Sequence, residues 1–195
     1  MTARLFIFAR APVPGQVKTR LARGIGAAAA LDFYRTTLFG VVARLRGHGW
    51  DLALAVTPDE AAAKDSLWPE GVARTGQGEG DLGQRMARVL AQAHPASPAL
   101  IVGADIPALD APHIARALAA LARNDLVLGP ARDGGYWLIG ARVPPPAALF
   151  DGVRWSGPDA LADTRRNAAG LAVALADELE DVDDESDWRR LYGRS

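Results

Sequence analysis

A carboxylate at the end of an apolar run is the clearest candidate for chemistry in this chain. Asp105 closes the run at 99–104 and is followed at once by Ile106 and Pro107. A short apolar run bounded by a breaker predicts a buried strand, and a carboxylate there is costly to bury unless it is paired or binds a metal ion. We therefore predict that Asp105 binds Mg²⁺ or Mn²⁺. The alternative is a helix cap, which Asp110 fits better.

A basic loop near the start of the chain supplies charge of the opposite sign. Gly15, Lys18 and Arg20 follow the first apolar run in a segment rich in proline and glycine. Gly15 allows backbone N–H groups to approach phosphate oxygens, and the two basic side chains can neutralise them. The segment is not a Walker A motif, because no Gly-Lys-Thr follows the required gap. A solvated surface loop is the alternative.

Three further segments could line the same site. The glycine-rich stretch 76–80 precedes Asp81, and it either lies against a nucleotide, with Arg85 turned towards phosphates, or simply enters a helix capped by Asp81. Segment 132–137 combines a charged pair, two glycines and two aromatic residues, so it forms either a wall for a second substrate or a tight turn. Asp183 is a candidate second metal ligand, although an acidic helix start also complements the helix dipole without any ligand.

Strand and helix patterns alternate along the chain, which predicts a mainly parallel sheet flanked by helices. The predicted strands are 4–9, 52–56, 72–74, 100–104, 126–129, 136–140 and 172–176, and the predicted helices are 27–46, 58–67, 81–93, 112–123, 158–168 and 184–192. The gap after strand 126–129 is too short for a parallel crossover, so we expect strand 136–140 to run antiparallel. We predict a long loop between 9 and 27, and one mixed α/β domain over residues 1–195.

The bulk composition narrows the classes of function. The 195 residues are 49% hydrophobic and 23% charged, with 22 Lys+Arg against 23 Asp+Glu, so no overall basic charge attracts nucleic acid. No apolar run approaches the roughly 20 residues of a membrane span. The apolar core within the first ten residues is too short for a secretory signal. The lack of cysteine excludes disulfides and thiolate metal sites. We expect a cytoplasmic protein with neither a nucleic-acid partner nor a membrane span.

Four segments carry a family resemblance: FARAPVPGQVKTRL at 8–21, GADIPAL at 103–109, DGGYWLIG at 133–140 and DVD at 181–183. Together they resemble the small bacterial glycosyltransferase-like family that includes arsenosugar-biosynthesis-type glycosyltransferases. That family is related to the 2-phospho-L-lactate guanylyltransferases and the molybdenum-cofactor nucleotidyltransferases. The resemblance covers nearly the whole chain. It implies the glycosyltransferase-A fold of the nucleotide-diphospho-sugar transferases and a divalent cation, Mg²⁺ or Mn²⁺.

The resemblance also implies roles for individual residues. Lys18 and Arg20 would contact the phosphates, Asp105 the metal ion, and Asp133 is the best candidate for a catalytic base. We predict nucleotide contacts at Ala9, Arg10, Gly15, Lys18, Arg20, Gly83 and Arg85 and metal ligands at Asp105 and Asp183. The resemblance implies contacts to the transferred group or its acceptor at Asp133, Gly134, Gly135 and Tyr136. Trp155 and Ser156 match a family Trp-Ser pair, and we predict that they also contact the substrate.

Two departures from the family pattern affect the choice of reaction. Asp184-Glu185-Ser186 stands where the family has Thr-Pro-Glu, so the final motif matches only as far as Asp183. The single Asp105 before Ile-Pro, in place of Asp-x-Asp, is closer to a nucleotidyltransferase. We predict a metal-dependent transferase that moves a glycosyl group from a nucleotide-diphospho-sugar to a small-molecule acceptor. A nucleotidyltransferase that releases pyrophosphate and a catalytically silent nucleotide-binding domain remain alternatives.

Overall fold

Seven strands form one sheet in the computed structural model, which describes residues 2–92 and 97–193. The strands are β1 (Ala3–Arg10), β2 (Trp50–Thr57), β3 (Ala73–Gly76), β4 (Ala99–Gly103), β5 (Leu126–Pro130), β6 (Tyr136–Ala141) and β7 (Val173–Leu175). Their order across the sheet is β3-β2-β1-β4-β6-β5-β7. Only β6 runs against its neighbours, being antiparallel to both β4 and β5. The predicted antiparallel strand and the mixed α/β architecture are therefore confirmed.

Helices cover both faces of the sheet. They are α1 (Thr19–Ile25), α2 (Ala27–Leu45), α3 (Leu82–Ala91), α4 (Ala111–Leu121), α5 (Ala160–Asn167) and α6 (Glu185–Tyr192), with short 3₁₀ turns at Asp59–Ala63, Asp65–Leu67 and Ala147–Phe150. The predicted helix at 58–67 is thus two 3₁₀ turns, and the end predicted for α3 at Ala93 lies outside the described residues. Within the described ranges, no helix is both long and apolar enough to cross a bilayer.

Three aspartates are helix N-caps, and one of them shows whether Asp105 or Asp110 caps the helix after β4. Asp81, Asp110 and Asp184 are the N-caps of α3, α4 and α6, and each takes part in a capping box. Such a cap satisfies backbone N–H groups that the first helical turn leaves unpaired. The prediction that Asp110, and not Asp105, caps the helix after β4 is confirmed. The Asp105 side chain is therefore left for other contacts.

Helix α1 contradicts the prediction of a long loop between 9 and 27. The glycines that suggested a loop lie largely at its borders, where Gly15 and Gly26 adopt positive φ angles of 73° and 87°. Leu21 is buried against Ala30 of α2 and Val182 of the segment before α6. Short helices gain most of their stability from such packing, not from their own propensity. The sequence offered no partner for Leu21, so the helix was missed.

The strand order creates the crevice that positions the site. β1 lies between β2 and β4 in the sheet. The strands that follow β1 in the chain are first added on its β2 side, and from β4 onwards they are added on its other side. Ligands bind in open α/β sheets beyond the carboxyl ends of strands at such a switch point. β1 leads to the basic loop and β4 leads directly to Asp105. The two charged sets therefore meet because of the sheet topology.

Candidate functional site

Three carboxylates converge at the carboxyl end of β4. Asp105, Asp181 and Asp183 each bring one oxygen into a group whose atoms all lie within 4.8 Å of one another. The backbone N–H of Val182 donates to the Asp105 carbonyl at 3.3 Å, which ties the segment before α6 to the end of β4. Val182 is fully buried against Leu21, so the two flanking aspartates are anchored by an apolar contact. The cluster is thus held by both backbone and core.

Lys18 joins this cluster from the loop after β1. Its ammonium donates to Asp105 Oδ2 at 2.5 Å and to Asp183 Oδ1 at 2.6 Å, and its side chain is only 6% exposed. Burial by itself lowers the pKa of the ammonium, but Asp105 and Asp183 outweigh it, so the pKa of Lys18 is raised. Its backbone is left-handed, with φ 47°, a conformation that is unfavourable for a residue with a Cβ.

Asp181 is a candidate site residue that the sequence analysis did not single out. It makes no ion pair within the described part of the chain, and burial, together with repulsion from Asp105 and Asp183, raises the pKa of its carboxyl to about 7. Asp105 and Asp183 share the Lys18 ammonium, and Asp183 also lies 3.6 Å from Arg20, but neither cation pairs with Asp181. Hard oxygen ligands at this spacing fit Mg²⁺ or Mn²⁺. The Asp-x-Asp spacing of 181 and 183 was the available signal.

A basic cavity opens beside the cluster. We give this name to a space of about 620 Å³ whose lining includes Arg10, Lys18, Arg20, Asp105 and Asp183. The Arg20 side chain is 64% exposed and reaches Asp184 at 3.3 Å. Arg20 also lies 3.6 Å from Asp183, so both predicted phosphate ligands of the basic loop contact predicted metal ligands.

An apolar cavity of about 250 Å³ lies on the other side of Asp105. Its lining includes Phe8, Leu82, Met86, Tyr136, Trp155 and three carboxylates, those of Asp105, Asp133 and Asp181. The rings of Tyr136 and Trp155 meet edge to face, with centroids 6.3 Å apart. Asp105, Asp133 and Ser156 line both cavities, so the two spaces share one border.

The turn before β6 requires glycine. Asp133 accepts a hydrogen bond from the Gly135 N–H at 2.9 Å, and Gly134 has φ 86°. A Cβ on Gly134 would lie 2.2 Å from the Pro158 carbonyl oxygen, so no side chain fits there. The turn brings Asp133 to the border between the cavities, where a base could reach a substrate in either.

A buried carboxylate holds the loop that carries Trp155 and Ser156. Asp163 of α5 accepts from the Arg154 Nε at 2.8 Å, its Nη2 at 2.9 Å and its backbone N–H at 3.1 Å. These bonds hold the pKa of Asp163 well below its ordinary range. Ser156 has a positive φ of 61°, so the loop is constrained where it borders both cavities.

Four predicted nucleotide contacts lie outside the linings of the two cavities: Ala9, Gly15, Gly83 and Arg85. Ala9 is buried in the core. A Cβ on Gly83 would overlap Phe150 and Trp155, so the structure gives both residues a packing role. Arg85 donates to Gln77 at 3.1 Å. Nucleotide contacts at these four positions stay predictions.

Comparison with known proteins identifies the family. A family model described as "Uncharacterized protein conserved in bacteria (DUF2064)" matches residues 41–157, more than half of the chain. The chain belongs to this family. No curated protein sequence matched it.

Solved structures place this DUF2064 member among transferase folds. A provisionally assigned nucleotide-diphospho-sugar transferase from Desulfovibrio desulfuricans G20 has a TM-score of 0.90 and 29% identity, over 98% of this chain and 87% of that one. Rv0371C from Mycobacterium tuberculosis H37Rv, in complex with manganese, has a TM-score of 0.60 and 15% identity, over 100% of both chains.

A third solved structure is a 4-diphosphocytidyl-2C-methyl-D-erythritol synthase from Anaerococcus prevotii DSM 20548. It has a TM-score of 0.57 and 13% identity, over 99% of this chain and 97% of that one. The Mycobacterium and Anaerococcus likenesses show the fold alone. The predicted family resemblance, the fold and the general class of transferase are confirmed by the family model and the Desulfovibrio structure.

Proposed function

We propose that this protein is a divalent-cation-dependent transferase that moves a glycosyl group from a nucleotide-diphospho-sugar to a small acceptor. The supporting observation is the meeting of Lys18 with Asp105 and Asp183 at the border between a basic and an apolar cavity. One cavity carries the charge that phosphates need, and the other leaves room for a second substrate. A cytoplasmic location, expected from the cysteine-free composition, stays a prediction.

In this proposal Asp105, Asp181 and Asp183 hold the cation. A bound Mg²⁺ or Mn²⁺ would neutralise charge that develops on the departing diphosphate. Lys18 and Arg20 would bind phosphate oxygens from the other side, since charge-assisted hydrogen bonds are the strong ones. Catalysis would come mainly from positioning and electrostatic stabilisation in a preformed site.

Asp133 is the proposed base. It would accept the proton of the acceptor hydroxyl as that oxygen bonds to the sugar carbon and the bond from this carbon to the diphosphate breaks. Its place on the border of both cavities supports this role, because a base must reach the acceptor while the donor is bound.

A nucleotidyl transfer is the second candidate. It is favoured by the single Asp105 before Ile-Pro and by the fold shared with a cytidylyl-type synthase. In that reaction Lys18 and Arg20 would neutralise a triphosphate and pyrophosphate would leave. The catalytically silent nucleotide-binding domain is the third reading, and the same experiment separates all three.

The test combines binding with product analysis. Thermal unfolding is followed with UDP-, GDP- and ADP-glucose and with the corresponding triphosphates, each with and without Mn²⁺, since a ligand of the native state raises the Tm. Release of a nucleoside diphosphate supports glycosyl transfer, release of pyrophosphate supports nucleotidyl transfer, and binding without turnover supports the silent domain.

The matched variants are Asp105→Asn and Asp177→Asn. Asp105→Asn should abolish the Mn²⁺-dependent rise in Tm, because it removes a central ligand. Asp177 pairs with Arg116 on the surface, so its variant should behave like the wild type. If neither nucleotides nor Mn²⁺ shift the Tm, or if Asp105→Asn responds normally, the proposed function is wrong.

A further inference from the structure

The charged residues of the two linings differ. The basic cavity is lined by three bases, Arg10, Lys18 and Arg20, beside the carboxylates of Asp105, Asp133 and Asp183. The charged side chains that line the apolar cavity, as far as the chain is described, are all acidic: Asp105, Asp133 and Asp181. Lys18 pairs with Asp105 but lies on the basic side of the border. The cation proposed for Asp105, Asp181 and Asp183 would offset those carboxylates, but an anionic group in the apolar cavity would still meet the carboxylate of Asp133, which that cation does not bind.

The walls of the apolar cavity offer few hydrogen bonds. They are formed largely by Phe8, Leu82, Met86, Tyr136 and Trp155. The Tyr136 hydroxyl accepts a bond from Thr164 at 3.4 Å, and the other side-chain acceptors of the lining are Ser156 and the three carboxylates. Hydroxyl groups of a ligand that face the apolar walls would be left without partners, and burying a polar group without a hydrogen bond is unfavourable. Aromatic and apolar walls favour a ring or a compact hydrocarbon body.

We infer that the apolar cavity takes an acceptor with an apolar or aromatic body, a single hydroxyl or amino group, and no phosphate or carboxylate. The reacting group would point at Asp133 on the border, while the body lies against Tyr136 and Trp155. This inference rests on the proposed function, since it assigns the second substrate of that site. It separates the protein from transferases whose acceptor is a phosphorylated or carboxylated molecule.

The test uses three probes that share one ring and differ in charge: benzyl alcohol, benzylamine and benzyl phosphate. Their relative affinities are measured by ligand-detected saturation-transfer NMR on the full chain with Mg²⁺, with and without a nucleoside diphosphate. We expect the neutral and cationic probes to bind at least about ten times more tightly than the phosphate, because the Asp133 carboxylate repels the phosphate group.

Two variants locate the effect. Asp133→Asn should reduce the preference against benzyl phosphate severalfold, and Trp155→Ala should weaken benzyl alcohol binding by about tenfold, since a ring contact is lost. Asp177→Asn is the control and should leave all three affinities unchanged. Its carboxylate is on the surface and outside the cavity lining.

The outcomes separate this inference from the proposed function. If nucleotide and cation bind but benzyl phosphate is preferred, or if no probe binds, the inference is overturned while the proposed function stands. If the nucleotide fails to bind but benzyl alcohol still depends on Trp155, the proposed function fails and the preference of the cavity for an uncharged or cationic ring is upheld. Unchanged binding in Trp155→Ala also overturns the inference.

Discussion

Replacing Lys18 by methionine should change cation binding and nucleotide binding in opposite directions. In the free protein the ammonium bonds both Asp105 and Asp183, which are proposed cation ligands. A divalent cation must therefore displace Lys18 before it can use those oxygens. Lys18→Met removes this competitor and keeps an unbranched side chain at the same left-handed backbone position, so the backbone strain is matched.

The size of the effect follows from the two hydrogen bonds. A bond to a charged group contributes about 1.5–3 kcal/mol, but the Asp105 and Asp183 side chains are 27% and 40% exposed, so solvent screening reduces the sum. We take about 2 kcal/mol for both bonds together, which corresponds to about thirtyfold in affinity. The variant should therefore bind Mn²⁺ about thirtyfold more tightly when no nucleotide is present.

The opposite change is expected for the nucleotide. With Mn²⁺ at saturation, Lys18→Met should bind a nucleoside diphosphate about tenfold more weakly, because a charge-assisted contact to phosphate is lost. Without any cation, the variant should also have a lower Tm, since three carboxylates are left without the buried ammonium. Mn²⁺ should restore that Tm.

The assay is a titration that follows free Mn²⁺ by electron paramagnetic resonance, combined with calorimetry for the nucleoside diphosphate. Lys64→Met is the matched control, because Lys64 is the other lysine of the chain and is exposed beside a 3₁₀ turn. It should change neither affinity. Weaker or equal Mn²⁺ binding by Lys18→Met would refute the idea that the ammonium competes with the cation.

Three further predictions concern pH, the Trp155 loop and the turn before β6. Because the pKa of Asp181 is raised to about 7, Mn²⁺ affinity should rise with pH through that value, and the free energy of unfolding of the cation-free protein should fall as pH rises from the ordinary pKa of 3.8 to about 7. Calorimetry and urea unfolding of Asp181→Asn should show neither trend, and an unchanged pH profile would contradict the assignment. Asp163→Asn should lower the Tm more than Asp177→Asn, because the Asp163 side chain is 2% exposed and bonded to two arginines, and equal Tm values would count against its holding the loop. Gly134→Ala should lose at least about 2 kcal/mol of unfolding free energy, because its Cβ would overlap the Pro158 carbonyl. Gly15→Ala, at a positive φ but with no neighbour within 4 Å, should lose only about 1 kcal/mol. Urea titration measures both losses, and equal losses would mean that the contact at residue 134 relaxes easily.

Local rules were sufficient for much of the fold. Helix caps depend on a side chain and the three residues after it, so Asp81 and Asp110 could be assigned from their neighbours alone. The antiparallel course of β6 followed from the short connection after β5, since a parallel crossover needs a longer one. These features are decided within a few residues of chain, and they were predicted correctly.

Features that depend on distant partners were not predictable in the same way. Helix α1 forms because Leu21 packs against Val182, and nothing near Leu21 in the sequence announces that contact. The spacing of Asp181 and Asp183 was visible in the sequence, but their proximity to Asp105 depends on the backbone bond from Val182 to Asp105, which joins two distant segments. Gly83 was predicted to contact the nucleotide, but its neighbours Phe150 and Trp155 give it a packing role.

By itself the sequence determined which chemical groups this protein has and which strand ends carry them. Asp105 follows a buried strand and Lys18 lies in a loop after another, and both facts come from patterns of adjacent residues. Only the tertiary structure decided that these two side chains, 87 residues apart, bond each other and Asp183. The physical reason is that the distances between these charges depend on two long-range features. These are the pairing of β1 with β4 in the sheet and the burial of Val182, and neither is determined by local sequence.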